Sequence, residues 1–325
     1  MKIVLPGGSG HLGRLLVRAW SAAGHHLVVL GRRAPARALP GVAFVPWDGR
    51  TLGPWARELE GADVLVNLAG RSVDCHYDKT NLREMLDSRV DSTRVLGLAC
   101  AGAETPPRLW LQSSTATLYA HRRDAPNDEA SGRIGGTEPD APPYWRWSID
   151  IARAWEAELD SAPTPRTRKV ALRTAMVMSR EPGTVFEVLL RLARLGLGGA
   201  MAGGGQYMSW IHERDFVRAL EFLIEHEELS GPVNVCAPGP LPQRELARLL
   251  RRAAGNPIGL PAAAWMLELG ALALRTDTEL LLKSRRVVPG RLLAAGFRFD
   301  FPAWEAAARE LVARRRGEAS AALAG

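Results

Sequence analysis

The sequence predicts an α/β fold in which a doubly wound parallel sheet is followed by a smaller, mostly helical C-terminal lobe. Three observations carry that prediction. Apolar runs of strand length alternate with longer stretches of helical period through the first two thirds of the chain, the signature of repeated strand–helix units. A glycine-rich turn, PGGSGHLG, joins the first strand to the first helix. After Ala237 the pattern turns mostly helical. With 325 residues, at roughly 100 to 200 per domain, the chain has room for two lobes. They are placed at residues 1–237 and 238–325, with a substrate-facing insertion at about 180–212.

Taken in order, Lys2 to Leu5 reads as the first strand, Leu12 to Ala23 as its helix and His26 to Leu30 as the second strand. Further strands are expected at Val42 to Pro46, Val64 to Asn67, Arg108 to Ser113, Lys169 to Val177 and Pro232 to Val235. Helices are expected between them at Leu52 to Leu59, Leu82 to Ala101, Ile149 to Leu159 and Phe216 to Glu225. PGPLP is a stiff turn ahead of a helix at Gln243 to Ala254. The apolar run Ile258 to Leu274 is interrupted by Pro261 and carries Glu268 in its middle. That argues for a buried helix beginning near Pro261 and against a membrane span. From about Arg314 the chain is rich in Arg, Ala and Gly and reads as a fraying tail. Trp145, Trp147 and Trp155 offer either a stacking platform or core; Trp147 and Trp155, eight apart, favour packing against the sheet.

Composition bounds the function. Hydrophobic residues make up 46% and charged residues 24%, which excludes a disordered or fibrous chain. A net charge of +7 favours anions, but the arginines are dispersed and form no arm or stripe, which points to a phosphate-bearing ligand and away from nucleic acid. Cys75, Cys100 and Cys236 lie far apart, with neither disulfide nor metal-ligand spacing, and fit a reducing, cytoplasmic compartment. No metal site is expected, since His212 has no second His or Cys at ligand spacing.

Gly7, Gly10 and Gly13 stand in the spacing GxxGxxG between a strand and a helix. Glycine serves there because the backbone must turn sharply and approach a pyrophosphate without a Cβ, while the N–H groups of His11, Leu12 and Gly13 at the helix start attract anions. The second strand ends in LGRR, where an NAD site places an acid for the ribose hydroxyls. Arg32 and Arg33 stand there instead and suit a 2′-phosphate, so NADP(H) is expected over NAD(H). Asp48 is placed to accept a hydrogen bond from the adenine amino group, and Asn67, Ala69 and Gly70 of VNLAG close the fourth strand where the cofactor passes.

In this order GGSGHLG, VNLAG and LQSSTATLYA resemble the extended short-chain dehydrogenase/reductases, the group of nucleotide-sugar epimerases and dehydratases. SRVDST (Ser88 to Thr93), ARAWEAEL, ALRTAMVMS, GGGQYMSWIHERD, GPVNVCAPGPLPQRELA and RRVVPGRLLAAGFRFDFP extend the likeness to nearly the whole chain. They resemble specifically the atypical YfcH-like branch, which carries a C-terminal domain of unknown function. The resemblance implies a Ser or Thr hydroxyl at Thr115, with Ser114 a second candidate and Ser113 beside the cofactor. It also implies a helix bearing YxxxK, in which tyrosine moves the proton and lysine lowers its pKa. Aligned on Glu156, that motif falls on Ser148 and Ala152, neither of which can do this work; Tyr144 is the nearby tyrosine and has no lysine partner.

Tyr119 and His121 are either proton donors at the mouth of a site or surface loop residues; Ser88, Arg89 and Thr93 meet either the cofactor or the neighbouring helix. Gln206, Ser209, Trp210 and His212 resemble the substrate-facing segment of the extended enzymes, and Asp215 is read as capping or orienting the next helix. Three functions follow: an NADP(H)-dependent oxidoreductase or epimerase on an unidentified small molecule, a non-catalytic NADP(H) sensor, or a nucleotide-sugar epimerase. No nucleic-acid or membrane partner is expected, and the oligomeric state is left open.

Overall fold

The computed structural model describes residues 1–34, 40–139, 141–268 and 278–323. Eleven strands and nine α-helices are named here in chain order. The seven-stranded sheet runs β3-β2-β1-β4-β5-β6-β10. Its strands are β1 (Lys2–Pro6), β2 (His26–Gly31), β3 (Val42–Pro46), β4 (Val64–Asn67), β5 (Leu109–Thr115), β6 (Arg168–Thr174) and β10 (Gly231–Val235). The pairs from β3 through β6 are all parallel. Chain order proceeds from β1 outward to β3, then returns to β4 on the other side of β1. That reversal sets the switch point of a doubly wound sheet between β1 and β4, where such sheets bind ligands at the carboxyl ends of the strands.

Contacts divide the chain into two units. The first holds residues 1–118, 146–174 and 217–233. Its central strands are apolar on both faces: Ile3, Leu5, Val64, Val66 and Leu111 are buried on one, while Val4, Leu30, Leu65, Trp110 and Ala171 share one core cluster on the other with Val95, Leu96 and Leu159. These last come from α2 (Lys79–Gly102) and α3 (Arg146–Ser161), while α1 (His11–Ala22) follows the glycine turn. Asp78 caps α2 by accepting from the Asn81 N–H at 2.8 Å.

The second unit gathers residues 119–145, 175–216 and 234–325. Here β7 (Met176–Met178) pairs with β9 (Trp210–His212), and β8 (Tyr207–Met208) with β11 (Leu241–Pro242). The amphipathic helices α4 (Val185–Arg194) and α6 (Gln243–Ala254) bury Phe186, Leu190, Leu246 and Leu250 against Trp304 and Leu311. The latter two lie on α9 (Trp304–Leu323); α7 (Glu279–Leu282) and α8 (Gly290–Ala294) are short, and α5 (Glu213–Glu225) leads back to the large sheet.

Several expectations change. By its contacts the second unit interleaves three segments and takes in residues ahead of the expected boundary at 237, because β7 pairs with β9 and β8 with β11, outside the large sheet. The single strand expected from Lys169 to Val177 breaks at Ala175, whose N–H donates to the Val235 carbonyl. Within the stretch read as an insertion, residues 185–194 form α4, which begins at Thr184, a side-chain N-cap to Glu187. Residues 54–59 form a 3₁₀ helix beginning with Pro54. Helix α9 continues through Leu323, past the expected tail. The run after Ile258 is not buried where described: Ile258, Leu260, Trp265 and Met266 are exposed, and residues 264–268 are helical, those from 269 to 277 lying outside the described residues. Trp155 is buried but Trp147 is 53% exposed, since eight residues overshoot two helical turns by about 80°.

Candidate functional site

The site lies in the first unit and is built by the glycine turn. Gly7 adopts φ +75°, and a Cβ built on it would stand 2.8 Å from the Ala69 nitrogen, so the turns after β1 and β4 touch through bare backbone. A Cβ on Gly13 would fall 2.4 Å from Gly8, which lets α1 start directly against the loop. Gly10 caps α1 with no side-chain bond, and no acid stands in the first turn. The positive end of the helix therefore faces the switch point without a built-in anion. A cradle that a methyl group would fill, at an uncapped helix start, fits the pyrophosphate of a dinucleotide.

Around this cradle the expected contacts sort into two kinds. The end of β2 reaches the loop, since a Cβ on Gly31 would stand 3.6 Å from the Ser9 hydroxyl; Arg32 and Arg33 follow it and are exposed. Asp48 is exposed too, yet its carboxylate accepts from the Arg50 and Thr51 N–H groups and the Thr51 hydroxyl. The Thr51 N–H bond above all holds it below the usual carboxylate range. Asn67 is fully buried: it donates to Gln112 at 3.0 Å and accepts from the Ala69 N–H at 3.0 Å. Both bonds shape the VNLAG turn from within, whereas Ala69 and Gly70 form its rim.

Strand alternation separates the three hydroxyls at the end of β5. Ser113 and Thr115 are half-buried on one face, and Thr115 accepts from the Thr117 N–H at 3.1 Å. Ser114 points to the other face and donates to Glu156 at 2.5 Å. Glu156 in turn accepts two bonds from Arg173, at 2.9 and 2.7 Å. This partly buried network, which sequence reading missed because Arg173 sits on β6, engages the Ser114 hydroxyl with a carboxylate on the face away from Ser113 and Thr115. Ala152, at the lysine position, is 1% exposed and packs with Leu118 and Ile149. The place of the expected ammonium is apolar.

Under the VNLAG turn lies Arg89, whose guanidinium would stand 3.3 Å from a Cβ on Gly70. It donates to the Met85 and Arg71 carbonyls and lies 5.0 Å over the Trp155 ring. Burial pushes it down to about 10. Ser88 accepts from the Arg71 N–H, and Thr93 donates to the Arg89 carbonyl and accepts from the Trp155 indole. Of the two readings left open for these residues, Ser88, Arg89 and Thr93 lock α2 to the turn and to α3.

The second unit overturns the substrate role expected for the GGGQYMSWIHERD segment. Gln206, Ser209, Trp210 and His212 are all buried. Gln206 donates to the Met201 and Leu281 carbonyls, Ser209 bonds Arg285 and Val287, and Trp210 donates to Gly239. His212 accepts the Arg214 N–H at Nδ1, so Nε2 is the donor to Glu310 at 3.0 Å, and its ring stacks on Phe301. Asp215 binds the Asp300 and Phe301 N–H groups, orienting a distant segment in preference to capping its own helix. These side chains clamp residues 281–310 within that unit. Tyr119 is buried and donates to Asn234, and His121 accepts from the Ser284 N–H, so neither is a loose loop residue or a proton donor at a mouth. Tyr144 is exposed in a 3₁₀ turn, edge-on to Trp145. Among the described residues no group of three His, Cys, Asp or Glu could hold a metal, and no helix is long and apolar enough to cross a membrane.

Sheet order and glycine turn define a Rossmann-type fold of the extended short-chain dehydrogenase/reductase kind. The chain belongs to the NAD dependent epimerase/dehydratase family, whose model matches residues 3–236; residues 262–311 match a domain of unknown function, DUF1731. Epimerase family protein SDR39U1 of Bos taurus is 32% identical over 96% of this chain and 100% of its own length. Epimerase family protein YfhF of Bacillus subtilis is 28% identical over 97% and 99%. The crystal structure of human epimerase family protein SDR39U1 with NADPH superposes with a TM-score of 0.81 at 29% identity, covering 96% of this chain and 99% of that one.

Proposed function

We propose that the protein is an NADP(H)-dependent oxidoreductase of the cytoplasm, acting on a small molecule through an atypical short-chain dehydrogenase/reductase site. The observation that carries this reading is the Gly7 to Ala69 approach, a cradle that only bare backbone can form. The fold shared with an SDR39U1 structure containing NADPH supports the cofactor, as do Arg32 and Arg33 in place of an acid at the end of β2. When bound, the cofactor supplies or accepts a hydride. The chain's own residues hold its phosphates at the His11 to Gly13 backbone, pair with its 2′-phosphate through Arg32 and Arg33, and pass it across Ala69 and Gly70. Thr115 orients the substrate oxygen from the end of β5.

Two measurements test this. NADPH fluorescence titration should show binding of NADPH tighter than of NADH, and Arg32→Asp should narrow or reverse that ratio; an unchanged ratio removes Arg32 from the site. Hydride transfer across a panel of carbonyl and alcohol compounds should then find a substrate whose turnover drops in Thr115→Ala. Tight NADPH binding without any oxidation would favour the sensor reading. Genuine sugar-nucleotide epimerisation fits least, since Ser148 and Ala152 replace the tyrosine and lysine that move its proton.

A further inference from the structure

We propose that the second unit carries a docking surface for an anionic lipid bilayer, on which the chain lies without spanning it. The surface forms where the ends of α4 and α6 meet. Leu195 and Leu197 follow α4, Ile258 and Leu260 follow α6, and Trp265 and Met266 lie on the helical residues 264–268. All six are exposed, Leu195 and Trp265 at 62% and Ile258 at 61%. Single exposed apolar side chains are ordinary, but a contiguous set marks a surface that something covers.

Contiguity follows from the bonds between the two turns. The Leu260 N–H donates to the Gly196 carbonyl at 2.8 Å, and its carbonyl accepts from the Gly199 N–H at 3.2 Å. A Cβ on Gly196 would stand 3.4 Å from Ile258. The Asn256 amide donates to the Ala193 and Arg194 carbonyls and accepts from the Ile258 N–H, and Arg251 donates to the Gly198 carbonyl. The Ala262 N–H donates to the Ala200 carbonyl, which continues the pairing toward Trp265. Leu267 packs on the core of this unit and leaves Trp265 and Met266 outside. The turns thus satisfy these backbone groups internally while aliphatic side chains face outward. That is the condition for entering a medium that offers no hydrogen bonds.

Charge selects the occupant. Residues 191–199 and 251–266 hold four arginines and no Asp or Glu. Arg191 and Arg194 are exposed in the last turn of α4. The acids at the edge are Glu305, 3.9 Å from Arg252 and shared with Arg309, and the exposed Glu268. A second copy of the chain would set arginine against arginine. A protein partner makes about one hydrogen bond per 100 to 200 Å² of interface. Besides arginine, the only polar side chains in these two stretches are Asn256, engaged with α4, and the Trp265 indole. A bilayer fits better: acyl chains take the aliphatic groups, lipid phosphates take the guanidinium groups, and the indole sits at their boundary. This revises the expectation of no membrane partner. Pro261 and Glu268 still argue against a span, but the exposure of Ile258 and Leu260 is set by tertiary contacts that an apolar run does not reveal.

The test is flotation of the full chain with vesicles of phosphatidylcholine, alone or with about 30% phosphatidylserine. The chain should float with the anionic vesicles, bind the neutral ones at least roughly tenfold less, and lose affinity as sodium chloride rises to about 0.5 M. The double variant Leu195→Ser, Leu260→Ser should bind roughly tenfold less or worse, with unaltered thermal melting. Brominated acyl chains should quench Trp265, read among the ten tryptophans as the difference between wild type and Trp265→Phe. No binding to anionic vesicles, equal binding by the double variant, or binding without Trp265 quenching overturns the proposal. Should the variants fail to fold, wild type decides alone: brominated chains that quench none of its fluorescence overturn it. Two lipid-free results overturn it as well. A Trp265 that acrylamide cannot reach in the monomer is covered by another part of the chain, and a dimer that the double variant dissociates is a second copy on the same surface.

Discussion

At the scale of single residues, the glycine turn is the most constrained feature and gives the sharpest expectation. Gly7→Ala forces a Cβ into a positive φ and to 2.8 Å from the Ala69 nitrogen. The backbone must open, at about 1–3 kcal/mol of stability. NADPH affinity should fall roughly tenfold or more, as one charge-assisted main-chain bond is lost. Thermal melting and fluorescence titration check the two parts separately, and an unaltered melting temperature with unaltered affinity would sink the cradle. These glycines were legible in the sequence because their demand is local: strand, turn and helix adjoin within a dozen residues. Gln206, Ser209, Trp210 and His212 were misread for the opposite reason. Their polar atoms are satisfied by carbonyls and a carboxylate far along the chain, at Leu281, Val287 and Glu310. Residue type alone does not distinguish a buried clamp from a substrate contact.

At the scale of elements, α3 shows how a helix can keep its place in a fold while changing its chemistry. Its register is fixed by Glu156, held by Ser114 and Arg173, and by the buried Ile149, Ala152, Trp155 and Leu159. Removing Arg173 as Arg173→Met leaves Glu156 without its cation, at about 3–5 kcal/mol. The denaturation midpoint in urea should drop accordingly, and a change below about 1 kcal/mol would mean that the pair is dispensable. Restoring the superfamily lysine as Ala152→Lys should also destabilise, by about 2 kcal/mol or more, because the new ammonium enters a cluster of Leu118 and Ile149. Strand and helix identity along the large sheet was readable from continuous apolar runs and helical period. Short strands β7, β8 and β9 were not, since each spans three residues or fewer and is defined by a partner elsewhere in the chain.

At the scale of the whole molecule, the chain carries a surplus of seven positive charges, yet it buries a cation at the heart of its second unit. Lys283 is 1% exposed, 3.6 Å from the equally buried Glu279. Burial, opposed by Glu279, brings the ammonium down to about 8 from an ordinary 10.5. The direction of the pH effect follows. Between those two values the unfolded chain binds more protons at this group than the folded one, so the contribution of Lys283 to stability rises with pH through that window. Over the window the effect is of order a few kcal/mol. The cysteines act the other way: burial lifts Cys100 to about 12 and Cys236 well above its usual value. Unfolded thiols lose their protons first, so alkaline pH weakens the fold through them. Comparing wild type with the double variant Lys283→Met, Glu279→Gln cancels the cysteine part, because both proteins share it. Urea unfolding at about pH 8 and about pH 10 should therefore show the wild type gaining stability relative to the double variant as pH rises. Parallel pH profiles for the two proteins would place the ammonium in water and refute its burial.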